Sequence, residues 1–416
     1  MIPVREALDR ILAGITVLPV ERVPLLEAPG RVLAEAVDSP LDLPPYTNSA
    51  MDGYAVRAED VRGATKDTPK RLAIVEELPA GRMPTKPVGA GQCARIFTGA
   101  ALPEGSDCVI RQEDTVREGA TAIIQGDRDA GRNVRLAGED LKKGARIFEP
   151  GTVLGAAQIG VLSSMAQADV LVHTRPRVAI LASGDEIADL DQADEILAGR
   201  KIATSNSYTL HVLVRDAGAI PVPLGIAADT LDSVKEHFER GVREADLIVS
   251  TAGVSVGEHD FVRDALAALG ATMDFWRTAM RPGSPLGFAH VGGKPWIGLP
   301  GNPVSTMVCF ELFVRPALRK MQGHRELHRR TVRVVMEEQA KTPGRLTHFL
   351  RGVVRETANG LVARLTGPQG SGILTSMAKA NALLVIPEGR DAVLPGENVT
   401  AILLGDAQAF GPTPPV

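Results

Sequence analysis

The chain is poor in cysteine: Cys93, Cys108 and Cys309 are an odd, scattered set with no CxxC spacing. That excludes a disulfide framework or a zinc ribbon and fits a reducing compartment. No apolar run approaches the roughly 18 residues needed to span a bilayer, so no membrane partner is expected. The opening MIPVREALDRIL carries charges inside an amphipathic pattern and does not read as a signal peptide. The expected compartment is the cytoplasm. Net charge is −4, with no basic excess, so nucleic acid is not an expected partner. No GxGxxG follows a strand pattern and no GxxxxGK[ST] occurs, so the Rossmann and P-loop fingerprints are missing. Ser183 and Ser255 lack a His-Asp setting, which argues against a catalytic triad.

What is present is an ordinary globular composition, 44% apolar and 23% charged, in 416 residues, enough for about three domains. Residues 3–14 have the spacing of an amphipathic helix, with Val4, Ala7, Leu8, Ile11 and Leu12 on one face. Short strand patterns separated by Gly and Pro turns fill 50–145 and predict a small β domain. Asp52-Gly53 is a turn signal within it, and Phe97-Thr98-Gly99 ends a strand at a hydroxyl. GRNVRLAGEDLKKG, with Asp140, reads by itself as a solvated loop. Residues 147–174 predict a helix and a strand.

From Arg177 the pattern becomes strand–helix–strand, which predicts a parallel three-layer α/β domain. A long helix is expected over 303–321. In such sheets ligands lie outside the strand carboxyl ends. Three segments fall there: Ser183 to Glu186, Thr251 to Asp260, and Pro300-Gly301-Asn302-Pro303. DLIVSTAGVSVGEHD joins a buried strand, a glycine loop with Ser255 and Gly257, and a helix start at Asp260. An ordinary βα turn has the same pattern, and a second strand–turn–helix element at WIGLPGNPV favours an anion site. Asp185, Glu186, Glu258 and Asp260 gather on these turns, and Asp229 begins a helix. Carboxylates around an anion repel it unless a hard cation intervenes, which points to Mg²⁺. For Asp229 and Asp260, helix capping is an equal reading. Arg277 and Arg281, placed on one strand, share a side and suit an oxyanion. The last region, about 330–405, is again β, with a hairpin signal at Asn359-Gly360 and the outline of a small barrel.

The set PPYTNSAMDGYA, FTGA, NVRLAGEDLKKG, SGDE, STAGVSVGEHDF and LPGNPVS, in this order, resembles the molybdopterin molybdenumtransferase family. That family also resembles the C-terminal catalytic domain of gephyrin. The match covers nearly the whole chain. It implies a multidomain α/β plus β protein. Residues 1–45 with 146–175 form an elongated linking domain, 46–145 an inserted small β domain and 176–325 an α/β molybdopterin-binding domain. Residues 326–405 form a C-terminal β-barrel-like domain, and 406–416 a disordered tail. It also implies insertion of molybdenum from molybdate into adenylylated molybdopterin, with release of AMP and help from Mg²⁺.

The resemblance carries roles to particular residues. Asp52, Thr98, Asp140, Glu186 and Asp260 take part in catalysis, and Asp185, Glu186 and Asp260 hold the metal. Asp229, Ser255, Gly257, Arg277, Arg281, Pro300, Gly301, Asn302 and Pro303 bind substrate. Family members often have lysine at the two arginine positions, which keeps charge and changes geometry. The resemblance further implies a homodimer that sets the front half of one subunit against the α/β domain of the other. It allows a transient contact with molybdopterin adenylyltransferase. An adenylyltransferase sharing the α/β domain but consuming ATP, and a gephyrin-like scaffold, are the competing readings.

Overall fold

The computed structural model describes residues 1–251 and 261–405. Its central element is a six-stranded sheet with the spatial order Ile220–Ala227, Arg177–Ser183, Leu247–Thr251, Lys294–Leu299, Pro285–Val291, Thr272–Arg277. The first four strands are parallel and the last two are antiparallel additions. The strand Arg177–Ser183 shows why a continuous apolar run forms here. Val178 and Ile180 enter one core and Ala179 and Leu181 the other, because successive side chains point to opposite faces. The helix Ser205–Asp216 and the segment 303–321 cover one face, and the helices Leu231–Glu244 and Phe261–Ala268 cover the other.

The expected long helix over 303–321 contains a wider turn. Pro303–Cys309 is α-helical, Phe310–Val314 is a π-turn, and Arg315–Met321 resumes the α-helix. Pro316 has no N–H to donate back along the ladder, so the backbone expands just before it. Buried Glu311 holds the join by pairing with Arg315 at 2.7 Å and with Arg329.

The helix Val4–Ala13 sinks Ala7 and Ile11 into the core shared by Val178 and Phe310. The strand Val20–Pro24 pairs with Asp169–His173, and the helix Ala156–Ser164 packs with them around Leu33, Leu162 and Val172.

The inserted domain is a curled six-stranded sheet ordered Cys108–Arg111, Gly53–Val56, Gln92–Ile96, Lys70–Leu78, Thr121–Ile124, Thr115–Glu118. Gly53 opens its strand where a Cβ would lie 2.0 Å from the Ile110 carbonyl oxygen. Glycine is needed there for close strand approach.

At the C-terminus five strands close a barrel: Thr347–Thr357, Gly360–Leu365, Thr331–Met336, Asn398–Leu403 and Ala382–Ile386, which pairs back onto Thr347–Thr357. The hairpin at Asn359-Gly360 is formed, with Thr357 opposite Gly360. Among the described residues no helix is long and apolar enough to cross a membrane. The expected disordered tail, 406–416, lies outside the described residues.

Candidate functional site

After Arg177–Ser183 the chain moves to Ile220–Ala227 on one side, then crosses to Leu247–Thr251 on the other. This reversal opens a crevice at the strand carboxyl ends. A cleft of ≈ 590 Å³ lies there, lined by Ser183, Glu186, Thr204, Ser205, Asn206, Thr251, Pro285 and Pro300 to Pro303. Gly372, from the C-terminal region, closes one edge.

Each wall has a local cause. Gly184 turns at φ +137°, and a Cβ there would meet Glu186 Oε2 at 2.6 Å. The glycine therefore lets the strand end bend with the Glu186 carboxylate close against it. The amide of Ile202 donates to the Glu186 carbonyl at 2.8 Å, and Ile187–Ala188 pairs in parallel with Ile202–Ala203. That small ladder brings Thr204 to Asn206, the start of the helix Ser205–Asp216, onto the cleft. Asn206 Nδ2 donates to the Gly301 carbonyl at 2.7 Å, and Thr306 Oγ1 donates to the Pro300 carbonyl at 2.6 Å. The amide of Val304 donates to the Ser371 carbonyl at 3.1 Å, tying the turn to the C-terminal region. Two helix N-termini thus face one cleft, an arrangement suited to an anion.

Glu186 and Pro300 to Pro303 line the cleft together, as the sequence suggested. Asp185 does not line it. Its Oδ1 accepts from the Asp229 amide at 3.1 Å, and Asp229 Oδ2 accepts from the Asp185 amide at 3.2 Å. Lys201 Nζ donates to the Asp185 carbonyl. Asp185 and Asp229 therefore lock two adjacent turns to each other. Ser255, Gly257, Glu258 and Asp260 lie outside the described residues.

Arg277 and Arg281 are exposed and belong to different sheets, which corrects their placement on one strand. Arg277 ends an edge strand of the α/β sheet opposite Pro285, whereas Arg281 pairs with His348 of the barrel. The chain breaks between them because the Thr278 amide donates to the Ser284 carbonyl at 2.9 Å and the Met280 amide to the Thr278 carbonyl at 2.9 Å. Alternation along a strand therefore does not relate them.

Asp52, Thr98 and Asp140 lie in the inserted domain, and no residue of 46–145 lines this cleft. Asp52 Oδ1 accepts from the Thr98 amide at 2.8 Å and from its hydroxyl at 2.7 Å. These two donors, with the charge of Arg95, hold the Asp52 carboxyl below the usual carboxylate range. Arg95 lies over the rings of Tyr54 and Phe97, 5.0 and 5.1 Å from their centroids, and donates to Gln112 Oε1 at 2.7 Å. Asp140 is exposed; its amide donates to the Leu43 carbonyl at 3.0 Å.

Among the described residues no three His, Cys, Asp or Glu side chains converge as a metal site. Magnesium does not need such a cage, because it takes one or two carboxylates, waters and substrate phosphates. Glu186 on the cleft wall meets that modest requirement, provided a phosphorylated ligand supplies the rest. Sequence reading missed Thr204 to Asn206 as cleft residues. Their available signal was a hydroxyl–hydroxyl–amide run at a helix start, just after a short β pattern.

A doubly wound sheet with a strand-end cleft, an inserted β domain and a terminal barrel defines a multidomain α/β plus β class of protein with a cleft suited to an anion. Residues 2–166 match the MoeA N-terminal region (domain I and II), 179–320 a probable molybdopterin binding domain, and 333–404 the MoeA C-terminal region (domain IV). The chain is 38% identical to molybdopterin molybdenumtransferase from Nostoc sp. over 92% of its length and 88% of the relative's. It is 36% identical to molybdopterin molybdenumtransferase 2 from Mycobacterium tuberculosis over 88% of its length and 90% of the relative's. The crystal structure of a molybdopterin biosynthesis moeA protein from Pyrococcus horikoshii superposes with a TM-score of 0.82 at 32% identity, covering 97% of this chain and all of that one. The chain belongs to the molybdopterin molybdenumtransferase family, and it is a transferase.

Proposed function

We propose that this protein inserts molybdenum from molybdate into adenylylated molybdopterin, releasing AMP and forming molybdenum cofactor. The observation that carries the reading is the strand-end cleft in which Glu186 stands among two helix N-termini and the Pro300 to Pro303 turn. Backbone N–H groups at the start of the helix Ser205–Asp216 bind phosphate oxygens and fix the pyrophosphate end of the substrate, and the Pro300 to Pro303 turn, whose Val304 amide is taken by Ser371, shapes the facing wall. Glu186, with Asp260, would hold Mg²⁺ against those phosphates. When bound, the ion neutralises phosphate charge and polarises the phosphoryl oxygens. Asp185 and Asp229 position the neighbouring turns. Arg277 and Arg281 offer separate exposed guanidinium forks for oxyanions.

The same reading makes the protein a homodimer. Asp52 is held in one orientation by Thr98, and neither residue lines the strand-end cleft of its own chain. It gains a role if the inserted domain of one subunit approaches the cleft of its partner, bringing Asp140 with it. Molybdopterin adenylyltransferase is the source of the substrate in this scheme and a transient partner.

The test is single-turnover. Protein carrying adenylylated molybdopterin is given molybdate and Mg²⁺, and AMP is measured. Release that requires molybdate supports the reading. Release unaffected by molybdate, or consumption of ATP in its place, overturns it.

A further inference from the structure

A second, smaller concavity adjoins the cleft. It measures ≈ 180 Å³ and lies between the helix Ser205–Asp216 and the edge strand Ile220–Ala227. Ile180, Pro223, Gly225 and Ile226 form its apolar floor, and Asp189, Tyr208 and His211 stand at its polar side. Thr204 lines both this notch and the main cleft, so the two are continuous. A closed apolar cavity of about 150 Å³ holds a benzene ring. An open notch slightly larger admits a flat bicyclic ring with one edge exposed.

Two further features give the notch chemistry. The pairing of Arg177–Ser183 with Ile220–Ala227 shifts register between Ile180 and Leu181, where Leu224 is the extra residue. Gly225 next to it takes φ +97°. This bulge sits in the notch wall, and bulges commonly re-aim chain at ligand sites. Tyr208 Oη donates to Asp189 Oδ1 at 2.6 Å, and the Leu190 amide donates to the same oxygen at 2.7 Å. Both bonds fall on one carboxylate oxygen. Oδ2 keeps its acceptor capacity, and so does the tyrosine oxygen. Tyr208 is 48% exposed.

We propose that this notch receives the pterin ring of the substrate, with Tyr208 as its aromatic flank and Asp189 as acceptor for its pyrimidine edge. The inference rests on the molybdopterin reading of the main cleft. It distinguishes the two rings of the substrate by their donors. A pterin presents an adjacent ring N–H and amino group, both donors, which an ionised carboxylate and a phenolic oxygen can accept. Adenine presents an amino donor beside an acceptor nitrogen, which leaves one acceptor facing another. The adenylate therefore belongs in the main cleft and the pterin beyond Thr204. Asp189 and Tyr208 are positioning residues in this scheme and touch no reacting bond.

The test uses the full-length protein and two variants, Asp189→Asn and Tyr208→Ala. Tyr208 is half-exposed, so its variant folds even if Asp189→Asn is impaired. Expected is a rise of about tenfold in KM for adenylylated molybdopterin, with kcat at saturation much less affected, because ring binding is the same in ground and transition states. Competition by 6-hydroxymethylpterin should be visible in wild type and lost in both variants, while inhibition by AMP is unchanged. Wild-type activity with unaltered KM in folded Tyr208→Ala, or equal pterin competition in all three proteins, overturns the notch assignment. A wild type that releases no AMP with molybdate overturns the reading of the main cleft and is told apart by that result.

Discussion

The cleft of the α/β domain and the acidic corner of the inserted domain are built on opposite plans. The cleft is concave and composed largely of backbone turns, with Glu186 as the described carboxylate on its wall. The corner stands apart from that cleft, and Asp52 there is fixed by two donors from one residue and backed by Arg95. A pocket with one described carboxylate on its wall and an organised charge away from it suit the proposal that they are halves of one site. Orienting a half-buried carboxylate costs side-chain entropy, and its solvated side gives little in return. The proposed assembly, in which the corner of one subunit completes the cleft of another, would give that ordering a use.

The largest expected effect breaks the cleft side. Glu186→Gln keeps size and removes charge. It should lower molybdate-dependent AMP release by about a hundredfold, the scale of losing one well-placed electrostatic group. The side chain is exposed, so the melting temperature should stay within a degree or two of wild type. Wild-type rates in Glu186→Gln would remove the cleft from the chemistry.

The next prediction tests the pairing of the two regions directly. Asp52→Ala and Glu186→Gln proteins should each be nearly inactive. Unfolded together in equal amounts and refolded, they should recover about a quarter of wild-type activity, because half the dimers are mixed and each mixed dimer has one intact site. Recovery requires that the two residues of one site come from different chains. If dimers form but the mixture stays inactive, the two-halves comparison fails.

Gly53→Ala acts on the link between the corner and its sheet. A Cβ 2.0 Å from the Ile110 carbonyl cannot be accommodated without moving one strand. Expected is a loss of about 1–3 kcal/mol in urea unfolding. Activity should fall further than stability explains, since the neighbouring Asp52 moves with the strand. A neutral Gly53→Ala would show that the sheet is soft here.

Which of these features could be read from sequence follows from their range along the chain. The strand ends at Ser183 to Glu186 and Pro300 to Pro303 were visible because apolar runs stop at Gly and Pro within a few residues. The alternation of strands and helices gave the order of the α/β domain for the same reason. Thr204 to Asn206 were missed because their place depends on Ile187–Ala188 meeting Ile202–Ala203, a pairing that no local pattern announces. Asp185 looked like a metal ligand from its neighbours alone, but its partner, Asp229, is 44 residues away. Arg277 and Arg281 fit one strand by local pattern alone, and two local hydrogen bonds turn the chain between them. Asp52 and Thr98 entered through family resemblance, and their bond spans 46 residues. Local periodicity carries elements and their ends; contacts between distant turns need the folded chain.

The smallest expected effect sharpens the description of the acidic corner. Thr98→Val removes the hydroxyl donor to Asp52 and leaves the amide donor in place. In wild type the folded-state pKa of Asp52 is depressed, chiefly by the Thr98 amide and then by its hydroxyl. A depressed carboxyl pKa adds stability above the unfolded value, about 3.9, and that increment disappears as pH falls through the folded value. Thr98→Val should therefore be less stable than wild type at pH 7, by no more than ~1 kcal/mol for one partly exposed hydrogen bond. The gap should close as pH falls below the ordinary carboxylate range, because protonated Asp52 no longer gains from the donor. Urea midpoints of both proteins between pH 7 and pH 3 read this directly. A gap that stays constant over that range would mean the hydroxyl contributes through packing, and the corner would lose its claim to a preorganised charge.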